Sequence, residues 1–188
     1  MKPTSTAKST HPENLQHTKM TTNNYNVLTK REETYLTPPD MIAALQRSPN
    51  FLFDLDPACP PNMPWRTAET MLTKAEDGLA RKWHGHVWLN PPYGKETQKW
   101  MQRLAEHNDG IALVFARTDT QWFHDYVLKK ASAIYLLKGQ IRFYNPDGTQ
   151  TRDSAPAPSC LVAYGEESAY ALAIFACREK FPGRFIAL

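Results

Sequence analysis

This chain is short of several things, and each shortage removes a class of protein. Its three cysteines, Cys59, Cys160 and Cys177, stand far apart with no CxxC pair. That spacing excludes a disulfide framework and a zinc knuckle. No apolar run approaches the ~18 residues needed to span a bilayer. No apolar segment follows Lys2 and Lys8, so no secretory signal is read and a cytoplasmic protein is expected. Only eight glycines occur and none forms a GxG loop. His84 and His86 make an HxH pair, but no third ligand stands at a useful spacing, so no metal is expected. No internal repeat is visible.

What remains is ordinary globular composition. Hydrophobic residues make up 41% and charged residues 22% of 188, enough for one sizeable core. The net charge of +3 is unevenly placed. Residues 1–30 carry Lys2, Lys8, Lys19 and Lys30 against Glu13, and the rest balances 18 basic with 18 acidic residues. The first stretch is polar and poor in large apolar residues. It predicts a disordered basic tail over 1–30, suited to phosphate contact, ahead of one domain over 31–188.

Strand and helix signals alternate along that domain. Thr37 is a candidate N-cap for a helix over 38–47, whose prolines suit a first turn. Phe51–Leu55 reads as a strand ending at Asp56-Pro57. Proline then crowds the chain at 57, 60, 61 and 64 and forbids a regular helix. Val87–Leu89 reads as a strand running into Asn90-Pro91-Pro92-Tyr93, with a helix over 95–107 behind it. Ile111–Phe115 is a buried strand, 120–130 a helix, and Ala133–Leu137 and Cys160–Tyr164 further strands. Ile141–Tyr144 is a candidate strand, and 169–178 fits either helix or strand. The alternation predicts an α/β fold with a mostly parallel sheet. Ligands of such sheets sit beyond the carboxyl ends of the strands, where Asp56 and Asn90 both fall.

Asn90-Pro91-Pro92-Tyr93 carries the clearest chemistry. An amine on a purine ring is a poor nucleophile, because its lone pair is delocalised. Acceptors that hold its hydrogens favour a more tetrahedral nitrogen. The Asn90 side-chain carbonyl and the Pro91 backbone carbonyl are two such acceptors, and the prolines stiffen the loop that presents them. Tyr93 offers a flat face to an extruded base. A simple strand-ending turn is the competing reading.

NPPY is the catalytic motif of amino-group methyltransferases that use S-adenosylmethionine. Further segments make the resemblance narrower: Thr37-Pro38-Pro39, Leu55-Asp56-Pro57-Ala58, Asp77-Gly78-Leu79 with Trp83, Trp88 through Gly94, Ala116–Thr120 with Trp122-Phe123-His124, Gly139–Phe143, and the alanines and prolines at 155–158. In that order they resemble the phage-type Dam family of DNA N-6-adenine methyltransferases over roughly residues 33–165. The resemblance implies a single Rossmann-like domain with a mostly parallel sheet and an antiparallel C-terminal strand. It implies transfer of a methyl group from S-adenosylmethionine to a flipped adenine in double-stranded DNA. Asn90, Pro91, Pro92 and Tyr93 would hold the base. Thr37, Pro38, Asp56, Pro57 and Asp77 would line the cofactor. A phage or prophage setting and protection from host restriction are also implied.

The chain departs from that pattern in places. The glycine-rich loop after the first strand is missing, and only about 30 residues separate Asp56 from the NPPY strand, which is tight for two strand–helix units. Glu69 is the candidate left for the cofactor ribose. Gln140 stands where an arginine is expected. Arg117, Trp122 and Arg142 are candidate nucleic-acid contacts, with a buried Trp122 and solvated charges as the alternative. There is little room for a separate recognition domain, so a short or loosely read target is expected. A monomer is compatible with all of this, and no membrane partner is expected. Other readings stay open: transfer to cytosine, RNA guanine or protein glutamine, or a DNA-binding module that has lost catalysis.

Overall fold

The computed structural model describes residues 35–177 and 180–188. The expected basic tail lies outside the described residues. Seven strands form one sheet, β1 (Leu55–Asp56), β2 (Thr70–Met71), β3 (Val87–Leu89), β4 (Gly110–Phe115), β5 (Ala133–Leu137), β6 (Ser159–Tyr164) and β7 (Gly183–Ala187). Three α-helices accompany them: α1 (Pro39–Leu45), α2 (Thr97–His107) and α3 (Glu166–Ala176). The spatial order is β2-β1-β3-β4-β6-β5-β7.

The pairing corrects the expected mostly parallel sheet. β1/β2, β1/β3 and β3/β4 are parallel, whereas β4/β6, β5/β6 and β5/β7 are antiparallel. The sheet is therefore evenly mixed. Strands β1 to β5 still point the same way, because β6 inserts antiparallel between β4 and β5. From β1 the chain steps outward to β2, then returns to place β3 on the other side of β1. The carboxyl ends of β1 and β3 thus flank a topological switch point, where open α/β sheets take their ligands.

Both faces of the sheet are covered. One face buries Phe53, Trp88, Leu113, Tyr135 and Leu161 under α1 and α3, through Met41, Leu45, Leu172 and Phe175. The other buries Val87, Leu89, Val114 and Val162 under α2 and a following helical turn, through Trp100, Met101, Leu104 and Val127. Alternate residues of β4 and β6 divide between these two cores, as the period-two geometry of a strand requires.

Several boundaries differ from the sequence reading. Pro38, not Thr37, caps α1, and Pro39 occupies its first turn. Thr37 is instead buried against the body of the domain. Phe51–Asp54 is extended but irregular. The Phe53 N–H donates to the Gln46 side chain at 3.0 Å, and the Asp54 N–H to the His86 carbonyl at 2.8 Å. The regular ladder begins only at Leu55. Ile141–Tyr144 is no strand, because Tyr144 makes single bridges to Leu36 and Gln150 around the turn at Asn145–Gly148. The helix expected over 120–130 is π-wound across Phe123–Leu128. Residues 166–176 are helical, and β2 and β7 were not anticipated. No helix among the described residues is long and apolar enough to cross a membrane.

Candidate active site

Asp56 ends β1 and is buried at 3% exposure. Its two carboxylate oxygens take a hydrogen bond from the Thr67 hydroxyl at 2.5 Å and one from the Ala58 backbone N–H at 3.1 Å. Burial pushes its pKa up to about 6, against the opposing pull of those two donors. Among the described residues no salt bridge reaches it. A buried carboxylate without a cation is electrostatically incomplete, and a positively charged ligand group would complete it. Cys59, just beyond, is pushed up to about 12 by burial and by the Asp56 charge, so it stays a thiol.

Asp77 comes to the same place by a different local logic. Thr73 and Glu76 form a capping box around the short 3-10 turn Lys74–Glu76. The turn closes on Asp77 in the left-handed conformation, with φ 51°. That conformation costs an Asp about 1–2 kcal/mol. Gly78 follows, packed so closely that a Cβ there would run into the Pro57 carbonyl oxygen. The Trp83 indole N–H donates to the Gly78 carbonyl at 2.8 Å and pins the turn. Asp77 is thus held, exposed, beside the loop that leaves Asp56. Glu69 does not join them. It precedes β2 at the amino end, away from the mouth, because β2 runs parallel to β1.

Asn90 follows β3 directly, on the strand next to Asp56. Its side-chain N–H donates to the Tyr35 backbone carbonyl at 2.7 Å. That bond fixes the amide so that Oδ1 is left as the acceptor. The Tyr93 hydroxyl reaches the same Oδ1 at 3.3 Å, a long bond that leaves acceptor capacity. Thr97 Oγ donates to the Pro92 carbonyl at 2.8 Å and ties the loop to the start of α2. Pro91 is buried and Pro92 exposed. Thr37 and Pro38, two and three residues after Tyr35, are both buried.

Aromatic rings fill the space around this loop. Tyr93 stacks on Phe115 at 4.1 Å between centroids, and meets Tyr35 and Phe143 edge-on at 5.9 and 6.4 Å. Burial pushes the Tyr93 phenol far up, so it remains a neutral donor. One face of Tyr93 is therefore already covered by Phe115. Sequence reasoning did not single out Thr67, Tyr35, Phe115 or Phe143. Their roles arise from folding, with no local motif to announce them.

The candidate nucleic-acid contacts divide. Arg117 is exposed beyond β4, beside Asp119 at 3.3 Å, and Arg142 is exposed next to Phe143. Trp122 is half-buried, edge-on to Phe123 and packed against the α2-side core. His86 lies at the opposite end of the sheet. It is paired with Asp109 at 2.7 Å and Glu167 at 3.2 Å and stacked on Phe51.

A polar acceptor beside an aromatic cluster, next to a buried carboxylate at a switch point, is an arrangement for an amine and a cationic ligand. Comparison with known families decides between its relatives. The family described as DNA N-6-adenine-methyltransferase (Dam) matches residues 24–180. The chain belongs to the Dam family. No curated protein and no solved structure matches it. The Dam match spans every candidate residue above, from Thr37 to Arg142. Dam membership makes the family activity DNA adenine N6 methylation. The mixed α/β sheet is consistent with a methyltransferase-like fold.

Proposed function

We propose that this chain methylates the exocyclic amine of an adenine extruded from double-stranded DNA, using S-adenosylmethionine. The observation that carries the reading is the Asn90 amide, its N–H committed to the Tyr35 carbonyl so that Oδ1 is left as an acceptor with only the long contact from Tyr93. S-adenosylmethionine, when bound, supplies an electrophilic methyl group on a sulfonium. Asp56, buried and without a cationic partner, suits the positive end of that molecule. Asp77, exposed beside Pro57, suits its amine donors. Thr37 and Pro38, two and three residues after the Tyr35 carbonyl that Asn90 grips, would meet the cofactor's methionine end.

The chain's own residues do the rest. Asn90 Oδ1 accepts a hydrogen from the adenine amine, and the Pro91 carbonyl accepts the other. Both withdraw the nitrogen lone pair from the ring and aim it. The stiff loop, pinned by Thr97, holds that geometry before the substrate arrives, so alignment supplies most of the rate. Tyr93 offers the face that Phe115 does not cover to the base. Arg117 and Arg142 track the phosphate backbone.

Asn90→Ala tests this directly. Methyl transfer from tritiated S-adenosylmethionine to DNA should fall at least about 100-fold. Calorimetric binding of the cofactor should persist, since Asp56 and Asp77 are untouched. Retained transfer would overturn the assignment. Parallel incubations with RNA and protein, followed by nucleoside analysis, identify the acceptor.

A further inference from the structure

Four buried side-chain polar atoms among the described residues lack a hydrogen-bond partner: Asp40 Oδ1, Trp65 Nε1, Trp88 Nε1 and Ser159 Oγ. Folded interiors rarely leave such atoms unmet, and where they do the site calls for an explanation. All four sit on elements bordering the candidate active site. Asp40 follows Thr37-Pro38-Pro39, Trp88 lies two residues before Asn90, and Trp65 packs edge-on against Tyr144 at 5.2 Å. Ser159 has the most telling position.

Ser159 opens β6 and is 1% exposed. It pairs directly with Phe115 at the carboxyl end of β4. Directly paired residues share a sheet face. The other pairs of that face, Leu113 with Leu161 and Ile111 with Ala163, belong to the α1/α3-side core. Ser159 therefore stands beside Phe115, the ring stacked against Tyr93. Trp88 is on this face too, and so is Asn90 by strand alternation. Strand spacing places Asn90 and Ser159 roughly 10 Å apart across the sheet and roughly 7 Å along it. Two side chains and one nucleobase can bridge that span.

We propose that the Ser159 hydroxyl is a base-contacting residue, donating a hydrogen bond to a ring nitrogen that flanks the amine held by Asn90. This rests on the adenine methyltransferase reading above. The pairing of groups is complementary. Asn90 Oδ1 accepts from the amine, and Ser159 donates to the neighbouring ring nitrogen, which in adenine carries no hydrogen on either flank. Together they would fix the base at two points of one edge, so that rotation in its own plane is blocked. Among the described residues the hydroxyl has no partner, and the base would supply one.

The test joins a stability measurement to an analogue series. An orphaned hydroxyl contributes nothing to the fold, so Ser159→Ala should melt at or above the wild-type temperature. Its kcat/KM on duplex DNA carrying the sequence that the wild type methylates should fall about tenfold. The same duplex is then made with 1-deazaadenine and with 7-deazaadenine at the target position. On one of these two, wild type and Ser159→Ala should transfer methyl groups at equal rates, because the acceptor is already gone. A lowered melting temperature would show a structural partner for the hydroxyl and overturn the proposal. So would unchanged kcat/KM on adenine, or a Ser159→Ala deficit that persists on both analogues. A wild-type chain that transfers nothing to DNA would instead overturn the function itself.

Discussion

Lowering the pH from 7 to 5 should weaken S-adenosylmethionine binding about tenfold, through Asp56. With a pKa of about 6, this carboxyl is mostly ionised at pH 7 and mostly protonated at pH 5. Only the ionised form pairs with the ligand's ammonium group, which keeps its proton across that range. The free protein feels the same group with the opposite sign. A carboxyl whose folded pKa lies above its unfolded value holds its proton more tightly when folded. That stabilisation is complete below about pH 4 and is lost as the pH rises through about 6. The displacement from 3.8 to about 6 corresponds to roughly 3 kcal/mol. Asp56→Asn keeps the contacts, with Oδ1 accepting from Ala58 and the amide donating to Thr67 Oγ. It should raise stability at pH 7 relative to wild type, abolish the pH step in binding, and lower affinity at pH 7. Calorimetry at pH 5, 6 and 7 on both proteins measures the binding, and denaturant melts measure the stability. Equal wild-type affinity at pH 5 and 7 would refute the reasoning, whatever the mutant does.

Two further substitutions probe the geometry. Gly78→Ala drives a methyl group into the Pro57 carbonyl and should cost about 1–3 kcal/mol by thermal melting, with weaker cofactor binding because Asp77 is displaced. A Gly78→Ala variant as stable and as tight-binding as wild type would remove Asp77 from the site. Tyr93→Phe keeps the ring on Phe115 and loses only the 3.3 Å bond to Asn90, so its kcat/KM should stay within about fivefold of wild type. Tyr93→Ala should lose about 100-fold or more in the same steady-state assay, since base stacking and the aromatic cluster go together.

The sequence announced the half of the fold whose signals are local. Ala133–Leu137 and the Asn90 turn are continuous patterns, and the structure has a strand and a strand-ending loop there. Helix α2 begins two residues later than its pattern because Thr97 is recruited to hold Pro92. The rest depended on partners distant in sequence. Thr70–Met71 is a strand only because the Asp54 and Asp56 carbonyls accept from the Thr70 and Leu72 N–H groups. Gly183–Ala187 is one only because β5 has a free edge. Ile141–Tyr144 has strand composition, but among the described residues its only ladder partners are isolated bridges from Tyr144 to Leu36 and Gln150. In the site, Asp56, Asp77 and Asn90 were legible because each ends a local element. Thr67 and Ser159 were not, since a threonine in a Pro-rich loop and a serine opening a strand look the same whatever they face.

The shortness of β1 and β2 has its own consequence. Two residues each give the margin of the sheet beside Asp56 few rungs, while the six-residue β4 and β6 form a full ladder at the centre. Backbone opening should follow that gradient, with amide protons around Asp56 and Thr70 trading with solvent well before those of Leu113 or Val162. The domain is thus a firm platform with a yielding rim, and a small charged guest held at that rim, as proposed, would firm what it touches.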